Sequence, residues 1–405
     1  MLCPHFDPDT APTGVVMTRI VAELAALGHR VDVVSSLPWY RTHAIEAGWT
    51  GALIRRETTS WGSISRVHPF PGDDRTNLAR RAIGFLGYTA LAGLEAMRIG
   101  RPLSRVDTVI AMSPPLTLGL TGWLVSRLRR GTFVFNIQDV FPDAAVDTGA
   151  ISNRWVITLA RWLERVSYRR SDAVTVLSDD LADNVRSKLP DGRAKRVRMI
   201  PNFVDTDAIR PGDRLTPYRA ELGLGEGPVV LYAGNVGFSQ SLDLMVRAAE
   251  ELADVTFLVN GDGAARRDLE RSGAGIPNLR FAGFIEPHRL SELLATGDIH
   301  VVPLKRGLGR VSVPSKTYSI MAAGRPVLAA IDPGTAVPSM LAESGGGIAV
   351  APDDPVAFIE ALRSLLSDPG ASQSMGERGR AWVEREASPA AVGAAYHQLI
   401  ESLRR

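Results

Sequence analysis

The chain of 405 residues has a single cysteine, Cys3, which excludes an internal disulfide and fits a reducing cytoplasm. Neither sign of charge dominates. Forty-six basic residues against 44 acidic ones leave a net charge of +2, so nothing global points to nucleic acid as a partner. No apolar run approaches the roughly 18 residues needed to span a bilayer, and no signal-peptide pattern is visible. Lysine is scarce: only four of the 46 basic residues are lysines, yet Lys305 and Lys316 share one short window. That clustering favours a specific role over background usage. What is present is the balance of a soluble globular protein, 45% apolar and 22% charged, in a chain long enough for two cores.

Strands alternate with helical segments along the whole length, the pattern of parallel α/β sheets. Thr13 is a candidate N-cap for a helix with apolar positions Val16, Ile20, Leu24 and Leu27, ended by Gly28. Strands are expected at VDVVSS from Val31, DTVIAMS from Asp107, TFVFNIQD from Thr132 and AVTVLS from Ala173. After Met199 turn formers and charges interrupt the periodicity, which places a boundary there. The expected division is an N-terminal domain over 1–202, a C-terminal domain over 203–388 and a helix over 389–405 able to pack back on the first. Strands of the second half are expected at VVLYAGN, VTFLVNGDG, LRFAGF, IHVVPL and PVLAAI. Ser388 and Pro389 suit the start of the last helix. Ligands of such α/β halves bind at the carboxyl ends of the strands.

Three loops at those ends have the composition a phosphorylated ligand requires. Val313-Pro-Ser-Lys316 reads as a tight loop feeding a helix, with Ser315 at the helix start and Lys316 in its first turn. A cation there opposes the helix dipole, and an anionic ligand would reverse the penalty. Gly234-Asn235-Val236-Gly237 and Gly261-Asp262-Gly263 follow two other strands, where glycines let a backbone approach closely. Each alone is more often an ordinary turn; the three together favour a binding site.

The runs DPDTAPTG from Asp7, ERVSYRRSDAVTVLS from Glu164, MIPNFVD from Met199, LYAGNVG from Leu231, VNGDG from Val259 and SIMAAGRPVLA from Ser319 cover most of the chain. Together they resemble the GT-B nucleotide-sugar glycosyltransferases, specifically family 4 of the retaining enzymes. FNIQDVFPDAAVDTGAI from Phe135, with VPSK, is similar to the branch that builds bacterial capsule, O-antigen and exopolysaccharide repeat units, which includes transferases of the fucosamine type. The resemblance implies two Rossmann-like domains facing each other across a cleft. It also implies a nucleotide-sugar donor, uridine favoured over guanosine diphosphate, and a saccharide acceptor linked to a polyprenyl diphosphate. No cofactor is implied beyond the donor itself, and no Asp-x-Asp metal motif stands in a suitable loop.

The departures from that family matter as much. Its Arg after the first glycine and its Lys six residues beyond that glycine fall on Asn235 and Gln240, so both cations are missing. Its Glu-x7-Glu pair falls on Val311 and Ser319, where Ser319 could make a shorter-reaching bond to the ribose. A diphosphate cannot be desolvated without donors, so Lys316, Arg310 and the helix start at Ser315 are the candidate replacements. In the N-terminal half the resemblance places Gly14 near the donor phosphates and Asp139 beside the acceptor. Asp139 either orients or deprotonates the acceptor hydroxyl or caps the turn before Phe141-Pro142; Asp143 is a weaker candidate.

A GT-B epimerase and a non-catalytic nucleotide-sugar-binding protein are the alternatives. The first would need acid/base side chains in the cleft, where the few histidines look poorly placed; the second is encouraged by Asn235, Gln240 and Ser319. The apolar-rich segment Asn77–Met97, with Arg80 and Arg81 at one end, and the basic helix around Arg161, Arg165, Arg169 and Arg170 suit an anionic membrane surface equally with a core helix. The expected location is therefore cytoplasmic, on the inner face of the cell membrane. Met1–Phe6 supplies little more than the end of a first strand, so that strand is short or the native start lies upstream.

Overall fold

The computed structural model describes residues 1–41, 43–70, 78–100, 104–138, 142–143, 153–309 and 313–404, with the side chains of 78–83 excepted. The chain divides into two compact units, Met1–Asn202 with Val392–Arg405, and Phe203–Ala391.

The first unit holds β1 (Val31–Ser36), β2 (Ile54–Thr59), β3 (Gly62–Val67), β4 (Thr108–Ser113), β5 (Thr132–Ile137), β6 (Ala173–Val176) and β7 (Val197–Met199). They form the ladders β1-β3-β2 and β4-β5-β6-β7, all parallel except the β2–β3 pair. Leu2 makes a parallel bridge to both Val34 and Ala111, so one residue joins the two ladders. β4, β5 and β6 are almost wholly buried, which is why each reads as an unbroken apolar run. The core around them includes Val109, Phe133, Phe135, Tyr168 and Val174.

Two features differ from the sequence reading. The helix Pro12–Ala26 is not capped by Thr13: Ala11 is the N-cap residue and Pro12 takes the first position, where its missing N–H costs nothing. Its end does follow expectation, with Gly28 at φ 88° and the His29 and Gly28 N–H groups donating to Leu24 and Ala25. The antiparallel pair β2–β3 was hidden by charge. Arg56 donates to both oxygens of the buried Glu95 at 2.9 Å, Ser65 Oγ to Glu95 at 2.8 Å, and the buried Arg66 to Glu57 at 2.7 Å. These pairings allow charged residues into a sheet whose hydropathy pattern would not announce it.

The helix Pro389–Leu403 starts with the Ala391 N–H on Ser388 Oγ at 3.1 Å. Beyond Ala391 it belongs to the first unit, where Tyr396 is 2% exposed. Asn136 on β5 donates to Tyr396 Oη at 2.5 Å and to Thr175 Oγ1 at 3.0 Å, while Gln138 donates to Asn136 Oδ1 at 2.9 Å. A buried amide satisfied this fully fixes the helix in register.

The second unit is one parallel sheet in the order β10-β9-β8-β11-β12-β13. Its strands are β8 (Val229–Ala233), β9 (Thr256–Asn260), β10 (Leu279–Ala282), β11 (Ile299–Pro303), β12 (Val327–Ala330) and β13 (Gly347–Val350). The order reverses between β8 and β11, the place where such sheets open a ligand crevice. The helices Pro355–Ser367 and Pro369–Glu386 start at Asp354 and Asp368, whose carboxylates accept the Ala357 and Ala371 N–H groups.

Tyr396→Phe is expected to cost about 1–2 kcal/mol, since it removes the acceptor of a buried amide N–H. A urea titration with an unchanged midpoint would remove this network from the account.

Candidate functional site at the carboxyl ends of the second sheet

The loops after β8 and β9 are locked to each other by backbone. Gly234 N–H donates to Asn260 O and Gly261 N–H to Ala282 O, both at 2.9 Å, and Val236 N–H donates to Asp262 O at 2.9 Å. Gly234 and Gly261 have φ of 138° and 149°, and a Cβ on Gly261 would collide with the Gly234 carbonyl. Gly261 is therefore required by the crossing of the two loops, and Gly234 by its positive φ. Asn235 and Asp262 are exposed, and the Asp262 carboxylate accepts the Gly263 N–H at 2.7 Å. Gln240 turns back on its own loop, its Oε1 accepting the Gly237 N–H at 3.0 Å.

Lys316 reaches this place from the helix Lys316–Ala322. Its Nζ donates to Tyr232 Oη at 2.7 Å, lies 3.9 Å from the Tyr232 ring centroid, and would be 3.1 Å from a Cβ on Gly234. Tyr232 is fully buried on β8 and donates in turn to Asn235 O at 2.6 Å. Among the described residues no carboxylate lies within ion-pair distance of Lys316. Burial lowers its pKa to about 8, and burial likewise raises that of Tyr232. The helix N-terminus contributes less than expected, because the Thr317 N–H already donates to Pro314 O and the Tyr318 N–H to Ser315 O. Ser315 is exposed and makes no side-chain cap, and Ser319 lies one turn on, half-buried. Thr317 Oγ1, in a residue without exposure, has no partner among the described residues.

The segment before VPSK is held by carboxylates. Asp332 accepts the Gly307 N–H at 2.8 Å and the Gly309 N–H at 3.1 Å, Asp353 the Arg306 N–H at 3.0 Å, and Ser239 O the Lys305 N–H at 3.0 Å. Lys305 itself is exposed. Arg310, Val311 and Asp139 lie outside the described residues. The structure therefore brings together Gly234, Asn235, Gly237, Gln240, Gly261, Asp262 and Lys316, with Ser315 and Ser319 on the helix that carries the lysine.

In the first unit Gly14 is buried in the helix Pro12–Ala26, and a Cβ there would lie 3.0 Å from His5 Cβ and 3.3 Å from Asp9 O. Close packing already accounts for that glycine. Asp143 is engaged by Lys188 Nζ at 2.5 Å and Asn184 Nδ2 at 3.3 Å, and Lys188 also holds the buried Glu164 at 2.7 Å, so this carboxylate is committed to an ion-pair network.

Three participants escaped the sequence reading. Tyr232 looked like a core strand residue, and nothing local marks its hydroxyl as a relay. Arg266 donates to the carbonyls of Gly261 and Ala282 at the ends of β9 and β10 and packs 5.6 Å from the Phe281 ring. The i,i+4 pair His5–Asp9, at 2.7 Å with Asp9 fully buried, was legible as a spacing but not as a contact.

Lys316 also makes a testable claim about stability. In the unfolded chain a lysine holds its proton to about pH 10.5, in the folded chain only to about pH 8. The charged, buried form is thus a destabilising contribution, complete below pH 8 and relieved as pH rises from 8 towards 10.5. Lys316→Met should stabilise the ligand-free protein at pH 7 by on the order of 2 kcal/mol, with the gain fading above pH 10. Thermal melts across that range decide it; a loss of stability at pH 7 would contradict the account.

Comparison with known proteins bears on the whole arrangement. Residues 13–202 match the model of the glycosyl transferase 4-like domain, and residues 227–368 that of glycosyl transferases group 1. The chain is 26% identical to the putative colanic acid biosynthesis glycosyl transferase WcaI of Escherichia coli (strain K12), over 89% of this chain and 90% of that one. Among solved structures it is similar to sucrose-phosphate synthase from Thermosynechococcus elongatus, with a TM-score of 0.72 and 18% identity over 99% and 98% of the two chains. It is also similar to Anabaena HepE, solved with UDP-glucose, with a TM-score of 0.64 and 14% identity over 99% and 100%. Two glycosyl transferase domain models follow one another along most of the chain, and the matching structures share its fold over nearly all of it: this protein is a glycosyltransferase with the GT-B fold.

Proposed function

We propose that the protein transfers a sugar, with retention of configuration, from a UDP-sugar to a hydroxyl of a polyprenyl-diphosphate-linked saccharide in cell-surface polysaccharide synthesis. The observation that carries the reading is Lys316, an ammonium held beside two glycine loops without a counter-ion among the described residues. A diphosphate supplies the missing negative charge, and the close backbone at Gly234, Gly237 and Gly261 gives it room. A UDP-glucose complex of the similar HepE supports the choice of nucleotide class.

In this reading the departing diphosphate and the acceptor lie on one face of the sugar. The protein positions both and stabilises the leaving group, with no metal required. Asp139 orients the acceptor hydroxyl, Arg310 adds a second cation, and Ser319 meets the ribose.

Donor binding by Lys316 has a pH signature. An anion raises the lysine pKa again, so UDP affinity should fall as pH rises through about 8. Lys316→Ala should weaken UDP binding at pH 7 by about 1.5–3 kcal/mol, the range for a hydrogen bond to a charged group, and should flatten the pH dependence. Calorimetric titration in EDTA reads both. Equal affinity in variant and parent would dismiss Lys316 as the diphosphate ligand. The folded-back Gln240 favours the second reading, a nucleotide-sugar-binding protein without turnover, and that reading wins if UDP-sugar binds tightly yet no acceptor is glycosylated.

The acceptor lipid calls for a membrane-facing surface. The helix Arg154–Arg170 exposes Trp155 (84%), Leu159 (63%) and Trp162 (51%) beside exposed Arg161, Arg165 and Arg169. Its one acidic residue, Glu164, is buried on Lys188. Such a face suits an anionic bilayer. Among the described residues no helix is long and apolar enough to cross a membrane. Trp155→Ala with Trp162→Ala should reduce sedimentation with anionic vesicles several-fold at low salt, with UDP affinity unchanged. If the parent already stays in the supernatant, the helix is not a membrane contact.

A further inference from the structure

The end of the helix Pro12–Ala26 and the last turns of the helix Pro389–Leu403 bring His29, His397 and Glu401 together. One ligand atom from each lies within 4.8 Å of the other two. His29 Nε2 and His397 Nδ1 are 2.7 Å apart, so one imidazole presents a lone pair to the other's N–H. His397 and Glu401 are spaced i,i+4 on one helix, which stacks them on a common face. His29 is fixed independently: it is the residue after Gly28, and its backbone N–H closes the preceding helix on Leu24. Nothing in the donor or acceptor chemistry uses these three side chains.

We propose that His29, His397 and Glu401 form a site for a divalent transition-metal ion of the zinc, cobalt or nickel class, which staples the C-terminal helix to the first unit. Two imidazoles and a carboxylate are a borderline-soft set that selects such ions over Mg²⁺ or Ca²⁺. Geometry is the demanding point. Metal–nitrogen bonds of about 2.0–2.1 Å around a tetrahedral ion separate two ligating nitrogens by roughly 3.3 Å. The rings must therefore part by about 0.6 Å, a change that small χ rotations supply. The hydrogen bond between them is exchanged for two metal bonds, and the proton it used moves to the far nitrogen of the same ring. Water fills the remaining position.

Glu401 is already oriented for this. Arg404 Nη1 holds Glu401 Oε1 at 2.6 Å, and Arg404 Nη2 holds Asp107 at 2.9 Å. A carboxylate has two oxygens, so one can stay on Arg404 while the other takes the ion, the usual arrangement of outer partners around a ligating carboxylate. The ligands come from residues 368 apart in sequence, so an ion here closes a long segment of chain.

Cobalt alone is the probe. The full-length chain, stripped with a chelator and dialysed, is titrated with Co²⁺ while visible absorption and melting temperature are recorded. The expected result is one Co²⁺ per chain at micromolar concentration, with the intense bands of tetrahedral cobalt and a rise in Tm of several degrees. His397→Gln should lose at least tenfold in affinity and all of the Tm rise, and His29→Gln should behave alike; melting both without metal shows that they fold. UDP binding should be the same with and without Co²⁺, which separates this site from the donor site. Absence of cobalt binding in the parent overturns the proposal, as does binding that survives in the His29→Gln, His397→Gln double variant.

Discussion

A lysine ammonium pressed against a buried tyrosine, with no carboxylate among the described residues to answer it, is the constraint around which the second unit is arranged. Tyr232 accepts the Lys316 hydrogen bond and donates its own O–H to the Asn235 carbonyl, which is what holds the ammonium there. Exchange of Tyr232 for phenylalanine would remove both steps at once. The relay also explains why the loop after β8 has its observed path. Asn235 must present its carbonyl inward, which turns its side chain outward and brings Gly234 under the lysine. The positive φ of Gly234 and Gly261 is a consequence of that path, since only glycine lets the two loops cross backbone against backbone.

Polar groups elsewhere are settled in a different way. In the first unit buried charge is neutralised in place: Glu95 by Arg56, Glu164 by Lys188, Arg66 by Glu57. In the second, Arg219 is buried against carbonyls and Asp298, and Arg380 bridges the carbonyls of Thr206, Ile209 and Ala322. Such groups rigidify the frame and leave no capacity for a ligand. Lys316 differs in that its ammonium meets a hydroxyl and an aromatic face instead of a carboxylate among the described residues.

The strands of both units were legible wherever a parallel sheet is covered on both faces, because burial on two sides leaves a plain apolar run such as VVLYA or FVFNI. β2, β3, β13 and the three-residue β7 were not. The first two carry charges whose partners, above all Glu95, come from a helix some thirty residues away, and the third is short and half-exposed. A helix end marked by glycine was readable, as at Gly28, since positive φ is a local demand. The start of the first helix was not, because Pro12 after Ala11 needs no side-chain cap. For the site, glycine spacing located the loops and scarcity singled out Lys316. Its tyrosine partner depends on tertiary placement and leaves no trace in the spacing.

The missing cations at positions 235 and 240 change the character of the loop more than its charge alone suggests. A fixed arginine or lysine in an exposed loop is charged at every working pH and binds an anion by simple attraction, screened by salt. Here Gln240 instead closes the loop on Gly237, and the remaining charge is a lysine whose proton is held weakly through burial. For such a group anion binding and proton binding reinforce each other by linkage. A diphosphate arriving at Lys316 would both gain from the charge and strengthen it, whereas a neutral ligand would do neither. If Lys316 is the diphosphate ligand, replacement of two exposed cations by a half-buried lysine therefore trades general attraction for discrimination between charged and uncharged ligands.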